Sequence, residues 1–260
     1  MNLFELIAVN LGVTASLMVL VWLASLKLRD VSIVDIFWGP GFVVVAGVTF
    51  YLTGETTNRK ILLLAITSLW GFRLAGHLAR RKLGTPEDDR YRSMRDKVGP
   101  RFWLVSLFVV FGLQAIIMNI VALPLLTGQL DRSPLDGWTV FGMSLWVVGF
   151  LFETIGDFQL TRFRADSRNH GKVMDRGLWR FTRHPNYFGD SLVWWGIYFV
   201  AVGDGTAWWT VACSLLMTFL LLRVSGVVLL ERGLRGRKNG YAEYIRRTSA
   251  FFPWPPRSPL

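Results

Sequence analysis

Asn186 and Asp190 stand four residues apart in GLWRFTRHPNYFGDSLVWWG (177–196), where a basic segment gives way to an apolar run. Residues four apart share one helix face, and Pro185, just ahead of them, suits a first helical turn. An amide and a carboxylate so placed can hold the hydroxyl or carboxamide groups of a ligand. Similar sets recur inside other apolar runs. Trp70, Arg73 and His77 fall at i, i+3 and i+7; Glu153, Asp157 and Arg164 fall at i, i+4 and i+11; Arg223 precedes Glu231 by eight residues; and Asp35 precedes Trp38 by three. Ionisable groups at membrane depth are costly and by default face a partner or a watery cavity. Any one of them could be a plain ion pair, Asp35 with Arg73 or Asp157 with Arg223. Small and hydroxyl residues join helices at lower cost, however, so the set as a whole points to a polar cavity inside a bundle.

The inventory of that cavity suggests its ligand. Arg73, Arg90, Arg92, Arg95, Arg164, Arg180, Arg183 and Arg223 offer the side chain that best grips phosphate. Asp157, Asn186, Asp190 and Glu231 suit ribose hydroxyls or a carboxamide, and Trp179, Tyr187, Tyr241 and Tyr244 can stack on a flat ring. A phosphorylated, ribose-bearing cofactor fits this mixture. No G-x-G-x-x-G follows a strand, so a nucleotide would lie within the helices and not in a Rossmann site. One cysteine, Cys213, and three histidines, His77, His170 and His184, show no ligand spacing, so no metal site is expected.

The elements that position these residues are read from the apolar runs. The chain has 260 residues, is 52% hydrophobic and carries 12 Trp and 19 Phe. Its apolar residues gather in runs near the ~20 residues needed to cross a hydrocarbon core. Seven such runs, 3–26, 32–53, 60–79, 102–127, 136–158, 187–203 and 206–230, predict a seven-span helical bundle, because backbone in lipid must satisfy itself internally. The first run has no Lys or Arg ahead of it and is read as a retained helix, not a signal peptide. The net charge of +11 sorts by loop: 24 of the 29 Lys and Arg fall in the loops and tail of one side, against Arg59, Lys60 and Arg132 on the other. The positive-inside rule then sets the N-terminus outside and the C-terminus in the cytoplasm. This sorting accounts for the basic balance, and nucleic acid is not an expected partner. With no linker or low-complexity tract, residues 1–260 are expected to form one domain. The tail Pro253-Trp254-Pro255-Pro256 cannot be helical, and Phe251, Phe252 and Trp254 are expected to anchor it at the interface.

Several stretches carry a family resemblance over nearly the whole chain, about 30 to 256. GLWRFTRHPNYFGDSLVWWG, LLLRVSGVVLLE (220–231), NGYAEYIRRTSAFFPWPP (239–256), DVSIVDIFWGPGF (30–42) and DDRYRSMRDKVG (88–99) resemble bacterial membrane proteins akin to the steroid 5α-reductases. The resemblance implies a multi-pass protein of the bacterial inner membrane, monomeric, that binds NADPH and reduces the Δ4 bond of a 3-oxo steroid drawn from the bilayer. By position, Asp157, Arg164, Asn186, Asp190 and Arg223 match the family's cofactor residues, with Arg95, Glu231 and Tyr244 as further cofactor contacts. Asp35 takes the place of the glutamate that polarises the substrate carbonyl. Trp70 and His77 stand where the animal enzymes have tyrosines, and Glu231 where an aromatic is expected.

Enone reduction needs a hydride at the β-carbon and a hydrogen-bond donor for the carbonyl oxygen. A desolvated Asp35 can stay protonated and donate, with Arg73 or His77 assisting; an Asp35 paired with Arg73 passes that role to His77. Phe37, Trp38, Trp194 and Trp195 offer apolar walls for a flat lipophilic substrate. The Arg-His-Pro-x-Tyr-x-Gly stretch and the Tyr-x-x-Tyr tail also resemble isoprenylcysteine methyltransferases, so methyl transfer from S-adenosylmethionine is one alternative. A non-catalytic sterol- or lipid-binding bundle is another. The halves show no internal repeat, which argues against a transporter.

Overall fold

The structure, a computed structural model, describes residues 1–82, 84–224 and 240–257. Among them there is no strand; an isolated bridge joins Thr182 to Ser249. Five helical stretches are long and apolar enough to cross a membrane: Leu3–Leu28, Val31–Leu52, Asn58–Lys82, Asp89–Leu130 and Gly137–Ala165. The expected sixth span falls on helix Pro185–Val202, which Asn186, Asp190 and several Tyr and Trp make less apolar. The expected seventh falls on a shorter apolar helix, Trp208–Val224, and its residues 225–230 lie outside the described residues.

The contacts divide the chain into two compact units, residues 1–136 with 200–213, and residues 137–199 with 214–260. The first unit opens with α1 (Leu3–Leu28), started by a capping box in which the Asn2 side chain accepts from Glu5 N and the Glu5 carboxylate from Asn2 N. Its buried stripe is Leu6, Asn10, Thr14, Met18, Val21 and Ser25, while Phe4, Leu20 and Leu23 are exposed. Polar side chains inward and apolar ones outward is the reverse of a water-soluble helix, and it is what a helix in lipid requires. The inward groups join helices. Asn10 Nδ2 donates to Thr49 Oγ1 at 3.0 Å, and Asn119 Nδ2 to Thr14 Oγ1 at 2.6 Å.

After α1 the chain makes 3₁₀ turns (Val31–Phe37) and enters α2 (Trp38–Leu52), which packs on α3 (Asn58–Lys82). Gly39 and Gly71 let these two backbones touch; a side chain at either would strike the other's carbonyl. A charged loop then carries α4 (Asp89–Val98). The next membrane stretch is interrupted: α5 (Phe102–Ser106), a π turn (Leu107–Gly112), α6 (Leu113–Val121) and, after Ala122, α7 (Leu123–Leu130). Two of the three basic residues expected on the sparsely charged side are buried. Arg59 donates to Val200 O, Ser133 Oγ and Pro134 O and pairs with Asp131 at 3.3 Å, and Lys60 Nζ donates to Gly54 O and Glu55 O.

The second unit is built on α8 (Gly137–Ala165) and α9 (Pro185–Val202, of which residues 185–199 belong here). A seam of small residues brings them together. Gly149 faces the backbone of Gly189 and Val193, Gly156 faces Pro185, and Gly196 faces Gly142 and Trp146. The unit's part of α10 (Val211–Phe219) is tied on by hydroxyls: Ser214 Oγ donates to Trp194 O, and Thr218 Oγ1 meets Ser191 Oγ and Trp195 Nε1. The last described helix, α11 (Tyr241–Arg247), is seven residues long and is latched onto the 177–184 loop by the C-terminal tail. Arg183 N donates to Ser249 O, Trp254 N to Phe181 O, and Thr182 Oγ1 to Phe251 O. Of the expected tail anchors, Phe252 and Trp254 are about 70% exposed, whereas Phe251 is buried.

Candidate functional site

In the first unit the polar residues converge on Asp35. It sits in the 3₁₀ turns that open the second span, and Val31–Val34 before it are buried. Arg90 Nη2 donates to Asp35 Oδ2 at 2.7 Å and Tyr91 Oη to Asp35 Oδ1 at 2.9 Å. Tyr91 is the one buried residue of α4 and drives that otherwise charged helix onto the turn. Further pairs fix the same loop. Glu87 receives Arg95 Nη2 at 2.7 Å, Arg95 Nε at 3.0 Å and Val31 N at 2.8 Å, and Asp30 pairs with Lys82 at 2.6 Å. Burial pushes the Glu87 carboxyl upward, but the bonds from Arg95 and Val31 outweigh it and hold Glu87 below the usual carboxylate range. Asp88 is likewise held low, against its burial, by Arg90. Asp35, Ser32 and Ile36 face Leu78 and Arg81 across a cavity of about 170 Å³.

The other first-unit candidates are on α3. Trp70 is fully buried against Phe42, at 5.8 Å between rings, and is a core residue. Arg73 and His77 are half-buried further along the same helix, whose next residue, Leu78, lines the Asp35 cavity. Arg95 is held by Glu87. Neither Arg90 nor Tyr91 carries a periodic signal. The available sign was a lone tyrosine in the charged run DDRYRSMRD (88–96), an apolar body that a helix there must bury.

In the second unit α8 and α9 bring the spaced pairs together. Glu153 and Asp157 lie in the glycine seam, buried, and Gly189 packs directly against Glu153. Asn186 Nδ2 donates to Asp157 Oδ1 at 3.1 Å, and Asp190, buried, follows one turn along α9. The Asn186 side-chain oxygen is buried and has no hydrogen-bond partner among the described residues. A buried amide oxygen without a donor is rare enough to need a reason. Here it sits beside a carboxylate, so the pair offers acceptor atoms to a ligand's N–H or O–H groups. Arg164 is exposed at the end of α8, and Arg223 is exposed in the π turn that follows α10. Glu231 lies outside the described residues.

In the basic half of the 177–196 stretch Arg180 is exposed, whereas Arg183 and His184 are buried. Arg183 is buried and its guanidinium donates to Ile245 O and Thr248 O, closing the C-terminus of α11. The Tyr244 hydroxyl donates to Trp179 O, and Arg247 pairs with Asp175. His184 is buried and stacks on Tyr187. Arg183 and the Tyr244 hydroxyl thus hold the tail against the loop that delivers Asn186 to its place.

Membrane-length helices, polar side chains that join helices, and two clusters of acidic, amide and phenol groups, one part-exposed and one buried, define the described residues as a polytopic all-α membrane protein. The chain belongs to the family described as "Protein of unknown function (DUF1295)", whose model matches residues 21–248. An uncharacterised protein of Schizosaccharomyces pombe is 23% identical over 204 residues, covering 68% of this chain and 59% of the relative, so the chain spans about three-fifths of that protein's length. No solved structure matches the chain.

Proposed function

We propose that this protein is an NADPH-dependent reductase of the Δ4 bond of 3-oxo steroids, with seven spans, its N-terminus outside and its C-terminus in the cytoplasm of a bacterium. The observation that carries the reading is the Asp35–Tyr91–Arg90 group. Reducing an enone places negative charge on its carbonyl oxygen, and donors already aimed at one point stabilise that charge without reorganising. Two donors, a phenol and a guanidinium, converge on Asp35, and Asp35 itself lines a cavity. Asp35 accepts both bonds, so we assign it the task of orienting the donors, and the single Tyr91 proton would turn from Asp35 to the carbonyl oxygen when substrate is bound. Arg90 keeps a positive charge beside the developing oxyanion. The cavity of about 170 Å³ takes only the carbonyl end of a steroid; whole-ligand pockets run to roughly 300–1,000 Å³. The remaining body of the substrate is left to apolar surface and bilayer.

NADPH, when bound, supplies the hydride. The Asn186 oxygen, Asp157 and Asp190 would hold its nicotinamide-ribose end, and Arg164 and Arg223 its phosphates. The buried Asn186 oxygen, without a hydrogen bond from a described residue, fits a carboxamide or ribose donor. Membership of a family related to the steroid 5α-reductases supports the same reading.

The test is a titration of the purified, detergent-solubilised protein with NADPH and with S-adenosylmethionine, read as thermal stability. NADPH at a hundred times its Kd is expected to stabilise by about 2.7 kcal/mol and then to be consumed on addition of a 3-oxo-Δ4 steroid. Stabilisation by S-adenosylmethionine alone overturns the reading in favour of methyl transfer.

A further inference from the structure

α8 has a second face that the Glu153–Asp157 seam does not use. Val148, Leu151, Ile155 and Phe158 recur at i, i+3, i+7 and i+10, and each is between 41% and 62% exposed. At 3.6 residues per turn this ridge lies roughly 140° around the helix from Asp157. Helix α8 is of membrane length, so the ridge is what acyl chains would cover. One turn beyond Phe158 the helix presents Arg162. There the segment 166–177 closes a cavity of about 450 Å³, with Phe158, Phe163 and Met174 as its apolar lining and Arg162 and Arg176 among its polar groups.

The cavity's framework is fixed by its own bonds. Gln159 Oε1 accepts from Leu178 N at 3.0 Å, and Asn169 Nδ2 donates to Phe163 O at 2.9 Å. Its acidic member, Asp166, is already taken by Arg168, whose Nε and Nη2 donate to it at 3.0 and 2.8 Å. Arg162 and Arg176 are exposed, and neither makes an ion pair with a described residue. The result is a volume of ligand size, apolar where it meets the ridge and carrying two guanidinium groups with no carboxylate assigned to them.

We propose that this cavity binds the phosphate-bearing headgroup of an anionic glycerophospholipid, with an acyl chain laid along the Val148–Phe158 ridge. Guanidinium groups grip phosphate oxygens bidentately, and basic pockets beside membrane helices select anionic headgroups over zwitterionic ones. The site does not depend on the reductase reading, because it uses a different face of α8.

The experiment uses the full chain in detergent, with thermal stability and native mass spectrometry as readouts. Phosphatidylglycerol is expected to stabilise and remain bound where phosphatidylcholine does not. The double variant R162Q/R176Q should weaken phosphatidylglycerol binding by about thirtyfold while keeping its stability in phosphatidylcholine, and R162K/R176K should retain most of the binding. Equal response to the two lipids, or undiminished phosphatidylglycerol binding by R162Q/R176Q, overturns the proposal. So does full stabilisation by inorganic phosphate, which would make the site one for free anions, or displacement of the lipid by NADPH, which would assign it to a cofactor.

Discussion

In the first unit both carboxylate oxygens of Asp35 are engaged, by Arg90 and Tyr91, and the nearby acids Glu87 and Asp30 are held by Arg95 and Lys82. In the second unit Asn186 donates one amide hydrogen bond to Asp157 and leaves its own oxygen buried with no hydrogen bond from a described residue. One cluster is saturated before any ligand arrives; the other carries an unmet acceptor. A saturated cluster suits a task in which charge appears during a reaction, because its donors are already oriented. An unmet acceptor suits a task in which a bound molecule completes the bonding. On the proposed reading the contrast separates reaction from binding, and substitutions should separate them too.

The largest effect is expected from Tyr91→Phe. It keeps the buried ring that seats α4 and removes only the hydroxyl on Asp35. On the reductase reading turnover should fall by about 10²–10⁴, the usual range for a proton-donating group, while the NADPH-induced stabilisation is unchanged. Steady-state rates alongside a cofactor titration check it. Turnover near that of the unaltered protein would leave Tyr91 as a packing residue and remove the donor from the mechanism.

Asn186→Ala probes the other side of the comparison. Losing a buried amide that bridges Asp157 and a ligand should weaken NADPH binding by roughly 30- to 100-fold, the worth of a charge-assisted hydrogen bond and its unsatisfied partner. The same amide donates to buried Asp157, so the protein without cofactor should also lose about 1–3 kcal/mol, and the NADPH affinity is compared at a temperature where both proteins are folded. Unaltered NADPH affinity would place the cofactor away from Asn186.

How far these sites were legible in the sequence follows from which contacts are periodic. The helical class and the five long spans follow from apolar runs, and the meeting of Asp157 with Asn186 was half visible, since each residue lies on a face marked by its own i, i+4 pair. Their pairing needed the fold, because Gly149, Gly156 and Gly189 look unremarkable in sequence yet set how closely the two helices approach. The partners of Asp35 lie 55 and 56 residues away, beyond two helices and within a charged loop, a distance no local pattern encodes. The expected partner or assistant, Arg73, is suggested by its place on a neighbouring span; Arg90 is legible as a cavity arginine and as part of a basic loop, but not as the partner of Asp35. Arg183 and Tyr244 misled in the other direction. They stand in two stretches that carry the family resemblance, 177–196 and 239–256, and their polar groups go to backbone carbonyls of the tail and loop.

The smallest effect sharpens the account of why the first cluster is rigid. Glu87 receives Val31 N and both faces of Arg95, so it ties the start of the second span to α4 and keeps Tyr91 over Asp35. Its pKa lies below its ordinary value in the folded protein. A carboxylate lowered by folding contributes stability that is complete above its unfolded value, near ~4.3, and is lost as pH falls through the folded value. Thermal stability should therefore be level in this respect from pH 7 to about 5 and decline below about 4. Glu87→Gln should cost about 1 kcal/mol or less at neutral pH, because Arg95 is partly exposed and water screens the pair. It should also flatten the acid decline relative to the unaltered protein. Melting curves between pH 3 and 7 for the two proteins, without cofactor, distinguish the outcomes. Parallel acid declines would mean that the Val31 and Arg95 bonds do not hold the loop, and that the order around Asp35 comes from the burial of Tyr91 alone.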